Sequence, residues 1–169
     1  MSNTWFISDT HFYHEKIIGY CNRPFTTIDE MNSALIKNWN NTIKQSDIVW
    51  HLGDFALYRT KEQMQQLVSQ LHGEIRLIKG NHDRHSNIFY RESGFKEVYD
   101  HPIIINDFMV LSHRPLPIVE GSGLINIYGH IHNLEDYKTW DTQSACMCVE
   151  RHNYKPVSLK EINQHYLKK

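Results

Sequence analysis

The chain has 169 residues, a length that suits one compact domain, and we expect residues 1–169 to form a single one. Hydrophobic residues make up 40 % of it and charged residues 22 %, which excludes wholesale disorder. A formal net charge of −1 excludes nucleic-acid binding through bulk positive charge. No apolar run reaches the roughly 18 residues of a membrane span, so we expect a cytoplasmic protein that does not contact membranes.

Strand-like apolar runs alternate with helical patterns in the first half of the chain, which is typical of an α/β domain. Strands are predicted at residues 5–7, 48–50 and 75–78. Thr27 with Glu30, and Thr60 with Gln63, form two capping boxes that each predict the start of a helix. Gly73 is predicted to end the second of these helices.

The second half of the chain is predicted to be richer in β-structure. Residues 102–111 resemble a hairpin whose turn is Asn106-Asp107. Further strands are predicted at residues 124–128 and 145–149. Ser158 with Glu161 predicts a helix near the end of the chain. Together the elements predict two facing sheets with helices outside.

Histidine, acidic and glycine residues follow several of the predicted strands directly, and the chain contains twelve histidines. In chain order, the segments are Asp9-Thr10-His11, Gly53-Asp54, Gly80-Asn81-His82-Asp83, Ser112-His113 and Gly129-His130-Ile131-His132. Strand ends in α/β sheets converge on one edge, where ligands bind. Groups that are far apart in the chain can therefore share one cleft.

This ordered set of five motifs resembles the calcineurin-like metallophosphoesterase family. The resemblance implies an α/β fold, a four-layer α/β/β/α sandwich of two mixed β-sheets flanked by helices, and it implies two divalent metal ions. By position, the first ion would be held by Asp9, His11, Asp54 and His132. The second ion would be held by Asp54, Asn81, His113 and His130, with Asp54 bridging both.

Coordination chemistry agrees with this ligand set. Residues two apart on an extended segment face the same way, so Asp9 and His11 can bind one ion. Imidazole and oxygen donors without thiolate suit manganese, iron, zinc or nickel, and we expect manganese first. Two divalent ions, two aspartates and one hydroxide would leave a single positive charge, which a phosphodiester neutralises. This sum favours diesters over monoesters.

The expected reaction is attack on phosphorus by a hydroxide that bridges the two metal ions, so that no protein nucleophile is needed. Asp54 would take part as the bridging ligand, and His82 resembles the family histidine that protonates the leaving oxygen or stabilises the transition state. Asp83, its neighbour, is a candidate for orienting His82. The expected substrate is a small phosphodiester or a nucleotide-type molecule, and a nucleic-acid end is compatible.

Two alternative functions stay open at this point. One is a phosphomonoesterase or dinucleotide hydrolase, and the other is a non-catalytic scaffold on the same fold. Leu57 and Tyr58 replace the Asp-Arg pair of the family's Ser/Thr protein phosphatases, which disfavours that activity. The sequence does not determine the oligomeric state.

Several residues near the motifs have two interpretations. His14 is expected to line the rim of the cleft, whereas Arg114 could bind a substrate phosphate or form a surface salt bridge. Cys146 and Cys148 are predicted to serve packing rather than to form a thiolate metal pair. The aromatic residues that could stack on a base or pack in the core are Phe12, Tyr13, Tyr20 and Phe25.

Overall fold

The computed structural model describes residues 2–58 and 60–166. Met1, Arg59 and residues 167–169, which the single-domain prediction includes, lie outside the described residues. The strands are β1 (Thr4–Ile7), β2 (Ile48–His51), β3 (Glu74–Ile78), β4 (Glu97–Tyr99), β5 (Ile103–Ile105), β6 (Met109–Leu111), β7 (Ile125–Tyr128), β8 (Ser144–Cys146) and β9 (Val157–Ser158). The helices are α1 (Lys16–Tyr20), α2 (Ile28–Thr42), α3 (Lys61–Val68), α4 (Asn87–Glu92) and α5 (Leu159–Tyr166), with a 3-10 helix at Val149–His152.

The strands form two mixed sheets. The first has the order β4-β3-β2-β1-β9, in which β9 is antiparallel to β1 and the other neighbours are parallel. The second has the order β5-β6-β7-β8, in which β5 is antiparallel to β6 and the rest are parallel. Flanking helices complete the arrangement, so the predicted four-layer sandwich is confirmed.

Alternation along β2 divides the apolar side chains into two cores. Val49 packs with the buried faces of the helices, including Trp39 of α2 and Leu67 of α3. Trp50 points the other way, into a layer that contains Leu111 and Ile127 of the second sheet. The first sheet is therefore covered on both faces, which fixes the positions of its strand ends.

The predicted helix starts are confirmed by their capping hydrogen bonds. In each case the capping hydroxyl accepts a hydrogen bond from the backbone N–H three residues further on. Thr27 accepts from Glu30, Thr60 from Gln63, and Ser158 from Glu161. The predicted hairpin is also present, with Ile103 opposite Leu111. Its turn residues Asn106 and Asp107 both have positive φ angles, 51° and 63°, as a type I′ turn requires.

Two predicted boundaries were wrong. Helix α3 ends at Val68 rather than at Gly73, because the chain continues in tight turns that still bury Leu71 in the helical core. Strand β8 ends at Cys146 rather than at residue 149. Beyond it the chain leaves the second sheet and pairs with Ser8 at the end of β1, so the two sheets are joined there.

No helix in the described part of the chain has the length and apolar character needed to cross a membrane.

Candidate metal centre

The five motifs meet where the two sheets adjoin. In the first sheet, the loops after β1 and β2 are linked because Asp9 N–H donates to the Gly53 carbonyl at 3.0 Å. In the second, Gly129 N–H donates to the His113 carbonyl at 2.9 Å. Between the sheets, His130 N–H donates to the Asp9 carboxylate at 2.8 Å. Residues from the full span of motifs therefore share one cleft.

Two motif glycines allow these loops to approach closely. A Cβ on Gly80 would overlap the Asp54 side chain, and a Cβ on Gly129 would overlap Ser8 and Asp9. Any side chain at either position would displace a carboxylate of the cleft. The glycines of these motifs are thus explained by space.

The sequence had led us to expect an extended backbone at Asp9 and His11. The structure shows a bent backbone there instead. Both residues lie in the left-handed region, with φ angles of 58° and 49°. Asp54, His130 and His132 do the same, with φ angles of 55°, 74° and 48°. Left-handed backbone costs a non-glycine residue roughly 1–3 kcal/mol, and such residues cluster at functional sites. The tight bends, rather than strand alternation, direct these side chains into the cleft.

One group of ligand atoms combines Asp9, His11 and His132. Asp9 Oδ1 lies 3.9 Å from His11 Nε2 and 3.7 Å from His132 Nε2. Both Asp9 Oδ1 and His11 Nε2 are buried, yet neither has a hydrogen-bond partner among the residues that the structure describes. Buried polar atoms are nearly always paired, so two such atoms side by side fit a cation bound between them.

The other oxygen of Asp9 is fully used by the protein. Oδ2 accepts hydrogen bonds from Ser8 Oγ at 2.5 Å, from His130 N–H at 2.8 Å and from Cys148 Sγ at 3.2 Å. These bonds fix the carboxylate with its Oδ1 facing the imidazoles.

A second group of ligand atoms combines Asp54, His113 and His130. His113 Nε2 lies 3.1 Å from His130 Nδ1 and 3.0 Å from Asn81 Oδ1. The other ring nitrogen of His113 lies 2.8 Å from the Leu52 carbonyl, which sets the orientation of the ring. This group offers the nitrogen and oxygen atoms that a divalent transition metal binds.

Asp54 stands between the two groups. Its Oδ2 lies 3.5 Å from His11 Nε2 and 3.5 Å from His113 Nε2. Its Oδ1 accepts the backbone N–H of His82 at 2.8 Å. Asp54 therefore has one anchored oxygen, as Asp9 does, and one oxygen that faces both sets of imidazoles.

Burial adjusts the protonation of these groups. It lowers the pKa of His11, and it lowers that of His130 to about 4 with help from the charges of His113 and Arg114. Both imidazoles are then neutral at pH 7, the form that binds a metal ion. Burial raises the pKa of Asp9, so a cation beside it would stabilise its ionised form.

His82 lies at the mouth of the cleft. Its half-buried ring stands 5.2 Å, between ring centres, from that of His11 and 5.7 Å from that of His14. Asp83 does not orient this ring as the sequence had suggested. Its buried carboxylate instead accepts backbone N–H groups of Asp54, Phe55 and Gly80, and thus ties two motif loops together.

His14 and Arg114 each lie beside a candidate ligand of the cleft. His14 Nδ1 is 3.1 Å from His11 Nδ1, so His14 contacts a candidate ligand directly, as expected for the rim. Arg114 is exposed and lines a cavity of about 260 Å³ beside Asn81 and His113. Within residues 2–58 and 60–166, no carboxylate forms a salt bridge with Arg114, which leaves its guanidinium available for a phosphate.

The structure separates the four aromatic candidates. Phe12 is fully buried, and Phe25 packs against Tyr154. Tyr13 and Tyr20 are exposed, and the Tyr20 ring lies edge-on to His14 with ring centres 6.4 Å apart. Phe12 and Phe25 therefore serve the core, and only Tyr13 and Tyr20 can contact a substrate.

The free cysteines Cys146 and Cys148 are buried beside Tyr128 and Ile131, in agreement with a role in packing.

Two buried residues of the site had no signal in the sequence. Arg23 and Glu150 form a salt bridge at 2.7 Å behind His132, although they are 127 positions apart in the chain. Neither belongs to any of the five motifs, and only the folded chain brings them together. Pairing of this kind is invisible to a single sequence.

Comparison with known proteins identifies the family of this chain. The family model described as calcineurin-like phosphoesterase matches residues 2–154. The chain therefore belongs to the calcineurin-like phosphoesterase family. Membership means metal-dependent hydrolysis of phosphate esters as the general class of activity.

Individual proteins resemble the chain over most of its length. The chain is 40 % identical to an uncharacterized protein, MJ1445, of Methanocaldococcus jannaschii, over 96 % of this chain and 90 % of that one. It resembles the crystal structure of AQ665, a protein of unknown function from Aquifex aeolicus, with a TM-score of 0.75, 28 % identity and coverage of 97 % and 99 %. It also shares its fold with the Pseudomonas putida nuclease MPE, with a TM-score of 0.50, 19 % identity and coverage of 76 % and 61 %.

Proposed function

We propose that this protein is a two-cation phosphodiesterase. The observation that carries the proposal is the position of Asp54 Oδ2, which lies 3.5 Å from one imidazole of each ligand group. A carboxylate oxygen placed between two sets of imidazoles would serve as a ligand common to two cations, as in two-metal hydrolases. A single-ion site would not need a second set of imidazoles on the far side of the same oxygen.

The proposed ligands follow the two groups, with manganese as the first candidate metal and iron, zinc or nickel as the others. Asp9, His11, Asp54 and His132 would hold the first cation. Asp54, Asn81, His113 and His130 would hold the second. When bound, the pair would supply Lewis-acid activation of water and neutralise charge on the phosphate. The protein contributes rigid positioning, because each carboxylate keeps one oxygen anchored to the chain.

His82 is the proposed proton donor to the leaving oxygen. Its ring is half-buried and stands beside His11, and His82 belongs to neither of the two ligand groups. Its backbone N–H is fixed by Asp54 Oδ1, so the ring is held close to the phosphate position. General acid catalysis of this kind contributes roughly 10²–10⁴-fold to a rate.

The proposed substrate is a phosphodiester that carries an aromatic group, as a nucleotide or a nucleic-acid end does. Tyr20 offers an exposed ring beside His14, and Arg114 offers an exposed guanidinium beside Asn81 and His113. A stacked base adds roughly 1–3 kcal/mol of binding free energy. The described fold is also that of a nuclease, which is compatible with such a substrate.

A substrate panel tests the proposal. The purified protein is assayed on bis-(4-nitrophenyl) phosphate and on 4-nitrophenyl phosphate, with Mn²⁺ and after chelation, beside an Asp54→Asn variant. We expect Mn²⁺-dependent turnover of the diester, little turnover of the monoester and loss of activity in the variant. Preference for the monoester would favour a phosphomonoesterase instead. No turnover of either ester with Mn²⁺, or when the assay is repeated with iron, zinc or nickel, would favour the scaffold.

Three further expectations stay predictions. These are the cytoplasmic location, the organisation of the whole chain as one domain, and manganese as the native metal. Metal content per chain after purification without added metal would test the last of them.

A further inference from the structure

We propose that Arg23 and Glu150 are positioning residues that hold the first cation's ligands, His132 and Asp9, in place. The inference rests on the proposed function, because it concerns one of the two proposed cation sites. It assigns a role to a buried ion pair that lies outside the five motifs.

Glu150 fixes the orientation of the His132 ring. Its Oε1 lies 2.9 Å from His132 Nδ1, on the side of the ring away from the cleft. With the hydrogen on Nδ1 donated to this carboxylate, Nε2 is the ring atom left to bind a cation, and it lies 3.7 Å from Asp9 Oδ1. Carboxylates that accept from a metal-binding histidine orient the ring and strengthen its nitrogen as a ligand.

Arg23 holds Glu150 and the left-handed segment of Asp9 at the same time. Its Nε and Nη2 donate to Glu150 Oε1 at 3.0 and 2.7 Å. Its Nη2 also donates to the Asp9 carbonyl at 2.7 Å, and its Nη1 donates to the Thr10 carbonyl at 2.9 Å. The guanidinium thus connects the first motif with the residue that orients the last motif.

Burial makes this connection rigid. The Arg23 side chain is fully buried and that of Glu150 is only 4 % exposed. A buried guanidinium without its carboxylate would leave an uncompensated charge, so neither partner can be removed without cost. Each side chain therefore has little freedom to move, and the ring and carbonyl groups that it holds share that restriction.

Glu150 itself is not a ligand of a further cation. It lies close enough to Cys21 and His132 for the three to resemble a metal site. Its Oε1 already accepts hydrogen bonds from Arg23 and His132. Its Oε2 is buried without a hydrogen-bond partner among the described residues, but the adjacent positive guanidinium of Arg23 would repel a metal ion there. The group is better explained as support for the first cation site.

The contacts lead to an asymmetric expectation. Glu150 contacts His132, a proposed ligand of the first cation. Among the described residues, neither Glu150 nor Arg23 forms a hydrogen bond with the proposed ligands that belong to the second cation alone, which are Asn81, His113 and His130. Loss of such an outer partner lowers metal affinity roughly 10–100-fold. Substitution of Glu150 should therefore weaken one cation and leave the other nearly unchanged.

The test compares wild type with Glu150→Gln and Glu150→Ala, and with Glu120→Gln, an exposed position, as the matched control. Each metal-free protein is titrated with Mn²⁺ by calorimetry, and the exchange-coupled Mn²⁺ pair is followed by electron paramagnetic resonance. Thermal unfolding of the metal-free proteins shows whether the fold is intact. Should Glu150→Ala fail to fold, Glu150→Gln decides, because it keeps an oxygen that can accept from His132.

We expect two bound Mn²⁺ ions in wild type and in Glu120→Gln. In Glu150→Ala one ion should bind roughly 10–100-fold more weakly, with loss of the coupled-pair signal, and Glu150→Gln should show a smaller loss. The inference would be overturned if both Glu150 variants bound each of the two ions with the same affinity as wild type does. Equal weakening of both ions together with a lower unfolding temperature would overturn it as well. If wild type itself binds no Mn²⁺, the proposed function fails first.

Discussion

At the scale of single residues, the site divides the two oxygens of each central carboxylate between two tasks. In Asp9, Oδ2 takes three hydrogen bonds from the chain while Oδ1 faces the imidazoles. In Asp54, Oδ1 takes the His82 N–H while Oδ2 faces both ligand groups. Preorganisation of this kind places charge before a substrate arrives, so that no reorganisation is needed during the reaction.

His82→Ala tests the role of an imidazole that stands beside the ligand groups without belonging to them. The variant should lose roughly 10²–10⁴-fold in kcat on a dinucleotide diester with an alcohol leaving group, because the leaving oxygen no longer receives a proton. It should keep both cations, because the His82 side chain makes no ligand contact in either group. Steady-state kinetics and metal content by mass spectrometry provide the two measurements.

The matched control is His101→Ala, an exposed histidine that matches no motif, which should retain wild-type kcat. Bis-(4-nitrophenyl) phosphate should show a smaller loss in His82→Ala than the dinucleotide, because its acidic leaving group needs no proton. Near wild-type turnover of His82→Ala with both metals bound would remove this residue from the reaction.

At the scale of elements, the short helix α1 and its exposed Tyr20 define the rim beside His14. Tyr20→Ala should raise KM for a nucleotide diester roughly 5–100-fold, because a stacked base is worth about 1–3 kcal/mol. Tyr20→Phe keeps the ring and should behave like wild type. The same variants should hardly change KM for a diester of small alkyl groups. Equal KM values for Tyr20→Ala and wild type on both substrates would remove the stacking role.

Asp47 joins the start of β1 to the turn before β2 and offers a stability test away from the cleft. Oδ1 accepts the Asn3 N–H, and Oδ2 accepts Trp5 Nε1–H and the Lys44 N–H. An amide at this position would oppose one of those donors with its own N–H₂. Asp47→Asn should therefore lower the free energy of unfolding by roughly 1–3 kcal/mol at pH 7.

The Asp47 effect should also depend on pH. Burial by itself raises the pKa of Asp47, but the backbone hydrogen bonds from Asn3 and Lys44 lower it on balance. The folded pKa then lies below the unfolded one, so this stabilisation is complete above the unfolded value and is lost as the pH falls through the folded value. Urea unfolding of the variant and wild type should give a constant difference from pH 8 to pH 5 and a smaller one below about pH 4. Asp136→Asn, at an exposed position, should show no difference at any pH.

At this scale, the sequence could predict those features that depend on residues adjacent in the chain. The motif after each strand was readable because the strand and the motif are adjacent in the chain, as at β3 and Gly80. The left-handed backbone of Asp9 was not predicted from the sequence, and in the structure this segment contacts Gly53 and Arg23, which are distant in the chain. The end of β8 was also missed, since the chain there turns to pair with Ser8 of the other sheet. Contacts between distant segments decide such details, and a single sequence does not record them.

At the scale of the whole molecule, the two sheets supply different parts of the site. Asp9, His11, Asp54 and Asn81 follow strands of the first sheet, whereas His113, His130 and His132 follow strands of the second. Each proposed cation takes ligands from both sheets. Cation binding should therefore stabilise the sandwich itself, because separation of the sheets would divide each set of ligands.

Thermal unfolding with Mn²⁺ tests this coupling. At a free Mn²⁺ concentration about 100-fold above Kd, one bound ion adds roughly 2.7 kcal/mol to the free energy of unfolding. For a chain of this size that corresponds to a rise in Tm of roughly 5–10 °C, measured by calorimetry against a chelated sample. The rise should continue with Mn²⁺ concentration, because binding to the folded state alone is linked to unfolding by mass action. Asp54→Asn should lose most of the rise, since it removes the shared ligand, while Glu120→Gln should keep it. An unchanged Tm for wild type across the titration would contradict the joint site, because ions held by both sheets cannot leave the stability of the sandwich unaltered.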